Sequence, residues 1–400
     1  MEIIIIGNGI AGLSAVEEIR RENQEINIHM ITNEKYYTYY RTQLSNYLAK
    51  DFKTEDIYIH PKNWYRENNI KVYLNKEVKS IDRTKKIVYF NNSESLQYDK
   101  LLLANGARSF IPPVVGKDNE GVFALRDLDD LKSIQEYGKK AEKGIVIGGG
   151  LLGLEAANSL KNLEMNITVI EFFDRLLPRQ LDQEGSIMLK KIVEDQGIKV
   201  ILGAQVEKIL GEQKVEGIQI KDGQKVETSF VLFSTGVRSN IQLAKELDLE
   251  IDKAIIVDEY MQTSERDIYA AGDVCQFNNK FFGIWPIAME QGKVAGANMI
   301  GKKRAYKEIT PSNMLNVMGT KVFSTGDIGA GEGEYDTLKV KDERKNIYKK
   351  FFFKDRKLVG AILMNDIAMA GKLKNLLTSG KDYSNLLKQD ISDEEKIKQL

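Results

Sequence analysis

Cysteine is nearly absent from this 400-residue chain: the single copy, Cys275, excludes an intrachain disulfide and any cysteine-rich zinc or iron–sulfur site. One thiol is also what a reducing compartment allows. Histidine occurs only as His29 and His60, so histidine-built metal clusters are nearly excluded and no metal ligands are expected. An excess of either charge is missing as well. The 58 basic and 58 acidic residues cancel, which gives no reason to expect a nucleic-acid or membrane partner. No window approaches the roughly 18 uninterrupted apolar residues of a membrane helix, and the chain opens on a strand-like run, Ile3-Ile4-Ile5-Ile6, rather than a secretory leader. A cytoplasmic protein of two or three domains is the expectation.

What is present begins with that run, because four consecutive β-branched residues suit a buried parallel strand and Gly7-Asn8-Gly9-Ile10-Ala11-Gly12 follows at once. Leu13, Val16 and Ile19 then recur at helical spacing. A second β-rich stretch, Ile26 to Ile31, ends at Asn33-Glu34, about twenty residues past Gly12, which completes the strand, glycine turn, helix, strand and acid of a dinucleotide site. Gly7 permits the tight turn, Gly9 lets the backbone approach a pyrophosphate, and Gly12 lets the helix pack on the strand. Glu34 is placed to accept hydrogen bonds from ribose hydroxyls. A lone glycine turn can be no more than a strand–helix junction, but here the pattern recurs. Ile145-Val146-Ile147 leads into Gly148-Gly149-Gly150-Leu151-Leu152-Gly153, then a helix, then a strand ending in Glu171. Two fingerprints imply two dinucleotides on one chain.

A similar series of short β segments follows each fingerprint, with turn clusters such as Asn91-Asn92-Ser93-Glu94-Ser95 and Lys221-Asp222-Gly223-Gln224 between them. Beyond about Tyr306 the pattern changes to a hairpin, Asn346 to Phe353 and Leu358 to Leu363 around Lys354-Asp355-Arg356, followed by a helix from about Ala370. Phe351-Phe352-Phe353 reads as sheet core or a subunit contact. The fold class expected is α/β, with two Rossmann-like three-layer dinucleotide-binding domains and a small C-terminal α+β domain.

Several further motifs keep the order seen in one family: Tyr40-Arg41 with Leu44-Ser45, Leu103-Ala104-Asn105-Gly106, Gly153-Leu154-Glu155, Ser234-Thr235-Gly236, Ala270-Ala271-Gly272-Asp273, and Trp285-Pro286 with Gln291-Gly292. Over nearly its whole length the chain resembles the FAD-dependent pyridine nucleotide reductases. It is most similar to the NADH:rubredoxin oxidoreductases and the flavin-bearing N-terminal part of assimilatory nitrite reductases. The resemblance implies FAD on the first fingerprint and NADH on the second. It also implies a discontinuous FAD domain over 1–107 and 235–305, an NAD domain over 108–234 and a C-terminal domain over 306–400. Fingerprints and resemblance together give cofactor-binding roles to Gly7, Gly9, Ala11, Gly12, Asn33, Glu34, Arg41, Val78, Ala104, Asn105, Gly106, Arg126, Gly148, Gly150, Leu152, Gly153, Glu155, Glu171, Gly236, Gly272, Asp273 and Trp285, with no separate catalytic residue. Asp273 matches an aspartate on the flavin's ribityl chain, and Glu155 a glutamate facing the nicotinamide carboxamide. Glu155 is otherwise a favourable charge near a helix N-terminus. Arg41 and Arg126 would neutralise pyrophosphate, or form ordinary ion pairs. Trp285 would cover the flavin edge, or simply fill core. Asn105 stands where the family usually has threonine, and Asn46 where many relatives have lysine.

Absences then separate the subfamilies. One cysteine cannot form the thiol pair of a disulfide reductase, and the stretch Arg41 to Asn46 lacks the cysteine of the peroxidases. Cys275 reads as a buried small residue rather than a redox thiol. Glu171 favours NADH over NADPH, since a carboxylate repels a 2′-phosphate, although Arg175 is nearby. The function expected is hydride transfer from NADH to FAD and electron delivery to a small one-electron carrier, most naturally rubredoxin. The sequence as given ends without the iron–sulfur and haem parts of the nitrite reductases. Alternatives are an NADH oxidase using oxygen and a non-catalytic NADH-responsive flavoprotein. A monomer or homodimer is expected, with Lys302-Lys303-Arg304 and Lys349-Lys350 as candidate docking cations for an acidic carrier.

Overall fold

A computed structural model describes every residue except Asn92, Ser93, Ala330 and Glu332, so part of the turn expected over 91–95 lies outside the described residues. Contacts divide the chain into two units: Met1–Gln43, Asp51–Ser109 and Gly236–Ile309 form one, and Leu44–Lys50, Phe110–Thr235 and Thr310–Leu400 the other.

The first unit is built on Glu2–Ile6, whose Ile3, Ile4 and Ile5 are completely buried. It lies third in a five-stranded parallel sheet, ordered Ile268–Ala270, Lys100–Leu103, Glu2–Ile6, Asn27–Ile31, Ile70–Tyr73. A strand with parallel neighbours on both sides and cover on both faces needs apolar residues at every position, which is why the run is unbroken. The helix Ile10–Glu22 buries Leu13, Val16 and Ile19. A second helix, Trp285–Met299, packs backbone to backbone against it: a Cβ on Gly292 would stand 2.2 Å from the Ala11 carbonyl oxygen, and one on Gly296 2.6 Å from that of Ala15. An antiparallel meander, Val78–Asp82, Ile87–Phe90 and Ser95–Gln97, follows the sheet. Where the chain leaves and re-enters the unit, Ala107–Ser109 and Val237–Ser239 pair antiparallel.

The second unit repeats the plan. Its parallel sheet runs Lys199–Ile201, Asn166–Ile170, Lys143–Ile147, Phe230–Phe233, Val122–Ala124, and its meander is Val206–Leu210, Gly217–Ile220 and Lys225–Glu227. The short helix Leu44–Tyr47 belongs here, and the amide of Gln135 donates to the Tyr47 and Lys50 carbonyls at 2.8 and 2.9 Å. The C-terminal segment forms a five-stranded antiparallel sheet, Ser312–Val317, Thr320–Gly326, Lys357–Met364, Ile347–Lys354, Asp336–Asp342, with Ala370–Thr378 as its first helix. Phe351 and Phe353 are completely buried in that layer's core with Leu373 and Tyr383. Asp182 ties this sheet to the preceding layer. Its carboxylate caps the helix Gln183–Asp195 through the Gly185 N–H (3.0 Å), and accepts from the Tyr348 hydroxyl (2.7 Å) and Lys350 (2.8 Å). Among the described residues no helix is long and apolar enough to cross a membrane.

Candidate functional site

The two glycine turns have nearly the same geometry. Gly7 adopts φ 111° and Gly148 φ 118°, a region open to glycine but strained for other residues. A Cβ on Gly7 would fall 2.1 Å from the Ala104 carbonyl oxygen, and one on Gly148 2.3 Å from that of Ser234. Each turn therefore lies against the end of the neighbouring strand. At Gly12 and Gly153 a Cβ would meet the carbonyl oxygens of Gly7 and Gly148 at 2.2 and 2.0 Å, so each helix starts in contact with its own turn.

Gly9 and Gly150 differ from these. They are the N-cap residues of Ile10–Glu22 and Leu151–Lys161, neither has a side-chain cap, and neither helix has an acid in its first turn. A Cβ at either position would meet nothing within 4 Å. By contrast Asp127 and Asp182 cap Leu128–Gly138 and Gln183–Asp195 with their side chains. Each fingerprint thus leaves uncapped N–H groups and a positive helix end facing open space, which fits a pyrophosphate.

In the first unit other expected residues gather at the turn. Ala104 donates its N–H to the Ile6 carbonyl at 2.8 Å. Gly272, at φ 83°, lies over Ala11, with its N–H on the Gln291 side-chain oxygen at 2.9 Å, and Asp273 follows it. Asn105 and Asn240 exchange side-chain to backbone hydrogen bonds at 2.9 and 2.8 Å, and Gly106 accepts from the Asn240 N–H, so asparagine holds this turn. Gly236, at φ 93°, precedes the return strand. Trp285 opens the helix Trp285–Met299 and stacks on Tyr40 at 6.3 Å. Val78 is half-buried against the unit's core. Asn33 is exposed beside Glu34, whose carboxylate accepts from Arg41 at 2.5 Å and the Tyr39 hydroxyl at 2.7 Å. Tyr39 carried no sequence motif and was not expected here. The Arg41 guanidinium also covers the Tyr39 ring at 4.8 Å.

In the second unit Glu171 is buried at the end of Asn166–Ile170, and it accepts from the Gly149 N–H at 2.5 Å and the Phe173 N–H at 2.9 Å. Leu152 is exposed on the first turn of its helix. Arg126 lies just before Leu128–Gly138, and its N–H donates to Asp130 at 2.8 Å. Glu155 is mostly buried and accepts from the Ser45 hydroxyl at 2.6 Å. Burial pushes its carboxyl above the usual carboxylate range, and the Ser45 hydrogen bond only partly opposes this. Ser45 and Glu155 are 110 positions apart, so no spacing rule could have paired them.

Two further expectations meet clear outcomes. Cys275 is buried against the Gly272 carbonyl, and burial pushes its thiol up to about 12, which leaves it inert at neutral pH. The candidate docking cations differ in exposure and partners. Lys349 and Lys350 are only 17% and 19% exposed and bind Asp366 and Asp182, while Lys302 pairs with Glu22, and Arg304 with Glu18 and Glu290. Four of these five cations thus have carboxylate partners that the linear sequence does not reveal, and Lys303 lies 5.1 Å from the Tyr260 ring centroid.

Two matched dinucleotide turns on two parallel sheets, followed by an antiparallel C-terminal layer, define a two-nucleotide oxidoreductase architecture. Residues 1–292 match the model of the pyridine nucleotide-disulphide oxidoreductase family, to which this chain belongs, and residues 311–381 match that of the rubredoxin NAD+ reductase C-terminal domain. The chain is 37% identical over 392 residues to nitrite reductase [NAD(P)H] of Bacillus subtilis, covering 98% of itself and 49% of that protein. It thus spans about half the length of that relative. It is 32% identical to the NADH-rubredoxin oxidoreductase of Clostridium acetobutylicum, covering 97% of each chain. The crystal structure titled NADH:rubredoxin oxidoreductase from Clostridium acetobutylicum superposes with a TM-score of 0.86 at 31% identity, covering 100% of this chain and 99% of that one.

Proposed function

We propose that this protein is an NADH-dependent flavoprotein reductase that binds FAD in the first unit and NADH in the second, and supplies electrons to a small one-electron carrier of the rubredoxin class. The observation that carries the reading is the pair of uncapped helix N-termini at Gly9 and Gly150, each facing open space beside an acid at the end of the next strand, Glu34 and Glu171. Within the chain, FAD is assigned to 1–107 and 235–305, NADH to 108–234, and a separate C-terminal layer to 306–400. Bound FAD supplies the chemistry that accepts a hydride and releases electrons singly.

The chain's own residues hold and orient. Gly7, Gly9 and Gly12 admit the FAD pyrophosphate, Glu34 takes ribose hydroxyls, and Asp273 faces the ribityl chain. Gly148, Gly150 and Gly153 do the same for NADH, Glu171 selects the unphosphorylated ribose, and Glu155 orients the nicotinamide carboxamide. The carrier is favoured over a thiol acceptor because the chain's one cysteine is buried with a raised pKa. Support for rubredoxin itself comes from the similarity to the Clostridium enzyme and the C-terminal family match.

The test is to purify the protein, extract its pigment and mix it anaerobically with NADH and then with rubredoxin. FAD release, bleaching by NADH and rapid rubredoxin reduction are expected. A protein that takes up no FAD refutes the cofactor assignment, and fast oxygen turnover with negligible rubredoxin reduction replaces the carrier reading with an oxidase.

A further inference from the structure

Glu155 is held by one side chain from a distant part of the sequence. The Ser45 hydroxyl donates to its Oε2 at 2.6 Å, and its Oε1 has no hydrogen-bond partner among the described residues. No cation pairs with it either. Leu44–Tyr47, Lys143–Ile147, Asn166–Ile170 and Ser312–Val317 pack against the helix Leu151–Lys161 that carries Glu155, and the one charged residue on those four elements is Lys143, whose ammonium lies 3.1 Å from Glu227. On its own helix the other charged residue is Lys161, at the C-terminal end. Burial raises the Glu155 carboxyl, and the Ser45 hydrogen bond opposes that rise.

Ser45 is itself fixed in place. It is buried together with Leu44 and Leu48, and the Gln135 amide holds the Tyr47 and Lys50 carbonyls that follow it. A glutamate side chain turns about several bonds, and fixing it before a ligand arrives removes an entropic cost from binding. One oxygen is then anchored and the other is open, which suits a single N–H donor. The primary carboxamide of nicotinamide carries such a donor, and a hydrogen bond to an ionised acceptor is stronger than one between neutral groups.

We infer that Ser45 is a positioning residue for NADH: its hydroxyl aims the Glu155 carboxylate so that the open oxygen accepts the carboxamide N–H. This rests on the assignment of Glu155 to the nicotinamide end of NADH. Ser45 thus acts through Glu155, on dinucleotides that carry the amide and on none that lack it.

The experiment uses the FAD-loaded protein as wild type, Ser45→Ala, Glu155→Leu and the double variant. Stopped-flow flavin reduction gives the apparent Kd for NADH and for reduced 3-acetylpyridine adenine dinucleotide, whose methyl ketone has no N–H. Infrared difference titration, without turnover, follows the protonated carboxyl band that Glu155→Gln lacks. Ser45→Ala weakens NADH roughly tenfold and leaves the analogue unchanged. Added to Glu155→Leu, it costs nothing more. In Ser45→Ala the carboxyl band titrates at higher pH, because the bond that opposes burial is gone, and the acid loss of NADH affinity moves up with it. Unchanged NADH affinity with an unmoved band in Ser45→Ala overturns the inference. So does an equal loss with both dinucleotides, or a loss that repeats in full on Glu155→Leu. Should Glu155→Leu fail to fold, the Ser45→Ala comparison of the two dinucleotides decides alone. If Glu155→Leu folds and binds NADH as tightly as wild type, the assignment of Glu155 to the carboxamide fails, and the band, which still reports Ser45, separates that outcome from a failure of Ser45.

Discussion

Glu171 has two duties that substitution can separate. Its oxygens hold the N–H groups of Gly149 and Phe173, and in the proposed function the same carboxylate borders the ribose. Replacement by arginine removes the repulsion toward a 2′-phosphate but leaves two backbone donors without their acceptor. Glu171→Arg should therefore shift kcat/KM toward NADPH and also lower stability by about 1–3 kcal/mol, read by denaturant unfolding. Equal cofactor ratios before and after the change would contradict the specificity role. Glu155 is different, since burial raises its pKa and favours the protonated form of the folded protein. Its contribution to stability is full below the unfolded-state carboxyl pKa and is lost as pH rises through the higher folded value. Glu155→Gln, which cannot titrate, should thus gain in Tm relative to wild type between acid and neutral pH. A constant difference across that range argues that Glu155 is not perturbed.

At the scale of elements, the absence of a cap on the two fingerprint helices is a sacrifice of local stability for ligand space. Gly150 has φ −79° and ψ −177°, backbone that any residue adopts, and open space beyond it. Gly150→Asp should hold or raise stability, by up to about 1 kcal/mol, because aspartate is a good N-cap. It should abolish reduction by NADH, because its carboxylate occupies and repels the phosphate position, while FAD stays bound and dithionite still bleaches it. Retained NADH reduction would show that the helix end carries no phosphate. The tie at Asp182 makes the opposite kind of prediction. Burial works against its charge, but Lys350, the Tyr348 hydroxyl and the Gly185 N–H outweigh it and hold the carboxyl below its usual range. The stability it adds is present above the ordinary aspartate pKa and is lost as pH falls through the depressed folded value. Tyr348→Phe should cost about 1–3 kcal/mol at neutral pH, measured by denaturant unfolding, and less in acid. No change at neutral pH would remove this cluster from the account of how the C-terminal sheet is held.

At the scale of the whole molecule, the sequence reveals what the backbone dictates and hides what distant side chains negotiate. The glycine turns were readable because their spacing answers to local geometry: a tight turn at Gly7, open space at Gly9 and close contact at Gly12. Strand-by-strand burial was readable for the same reason in Ile3 to Ile6. Tyr39 and Arg41 meeting on Glu34, Ser45 meeting Glu155, and Tyr348 meeting Asp182 depend on tertiary placement, the last across 166 positions. The lysine runs show the cations and not the carboxylates folded against most of them. The family's name includes disulphide reduction, but this chain's only thiol is buried beside Gly272. These 400 residues therefore offer no thiol pair to the flavin, and the proposed function has the acceptor meet the flavin directly.

That is the central claim, and anaerobic stopped-flow spectroscopy tests it most directly. The FAD-loaded protein is first reduced with one equivalent of NADH and then mixed with oxidised rubredoxin in one syringe and with air-saturated buffer in another. The account predicts that NADH bleaches the flavin and that rubredoxin restores its colour much faster than oxygen does, with two rubredoxins reduced for each NADH consumed. A flavin that stays oxidised in NADH, or one that oxygen reoxidises quickly while rubredoxin remains oxidised, would contradict it.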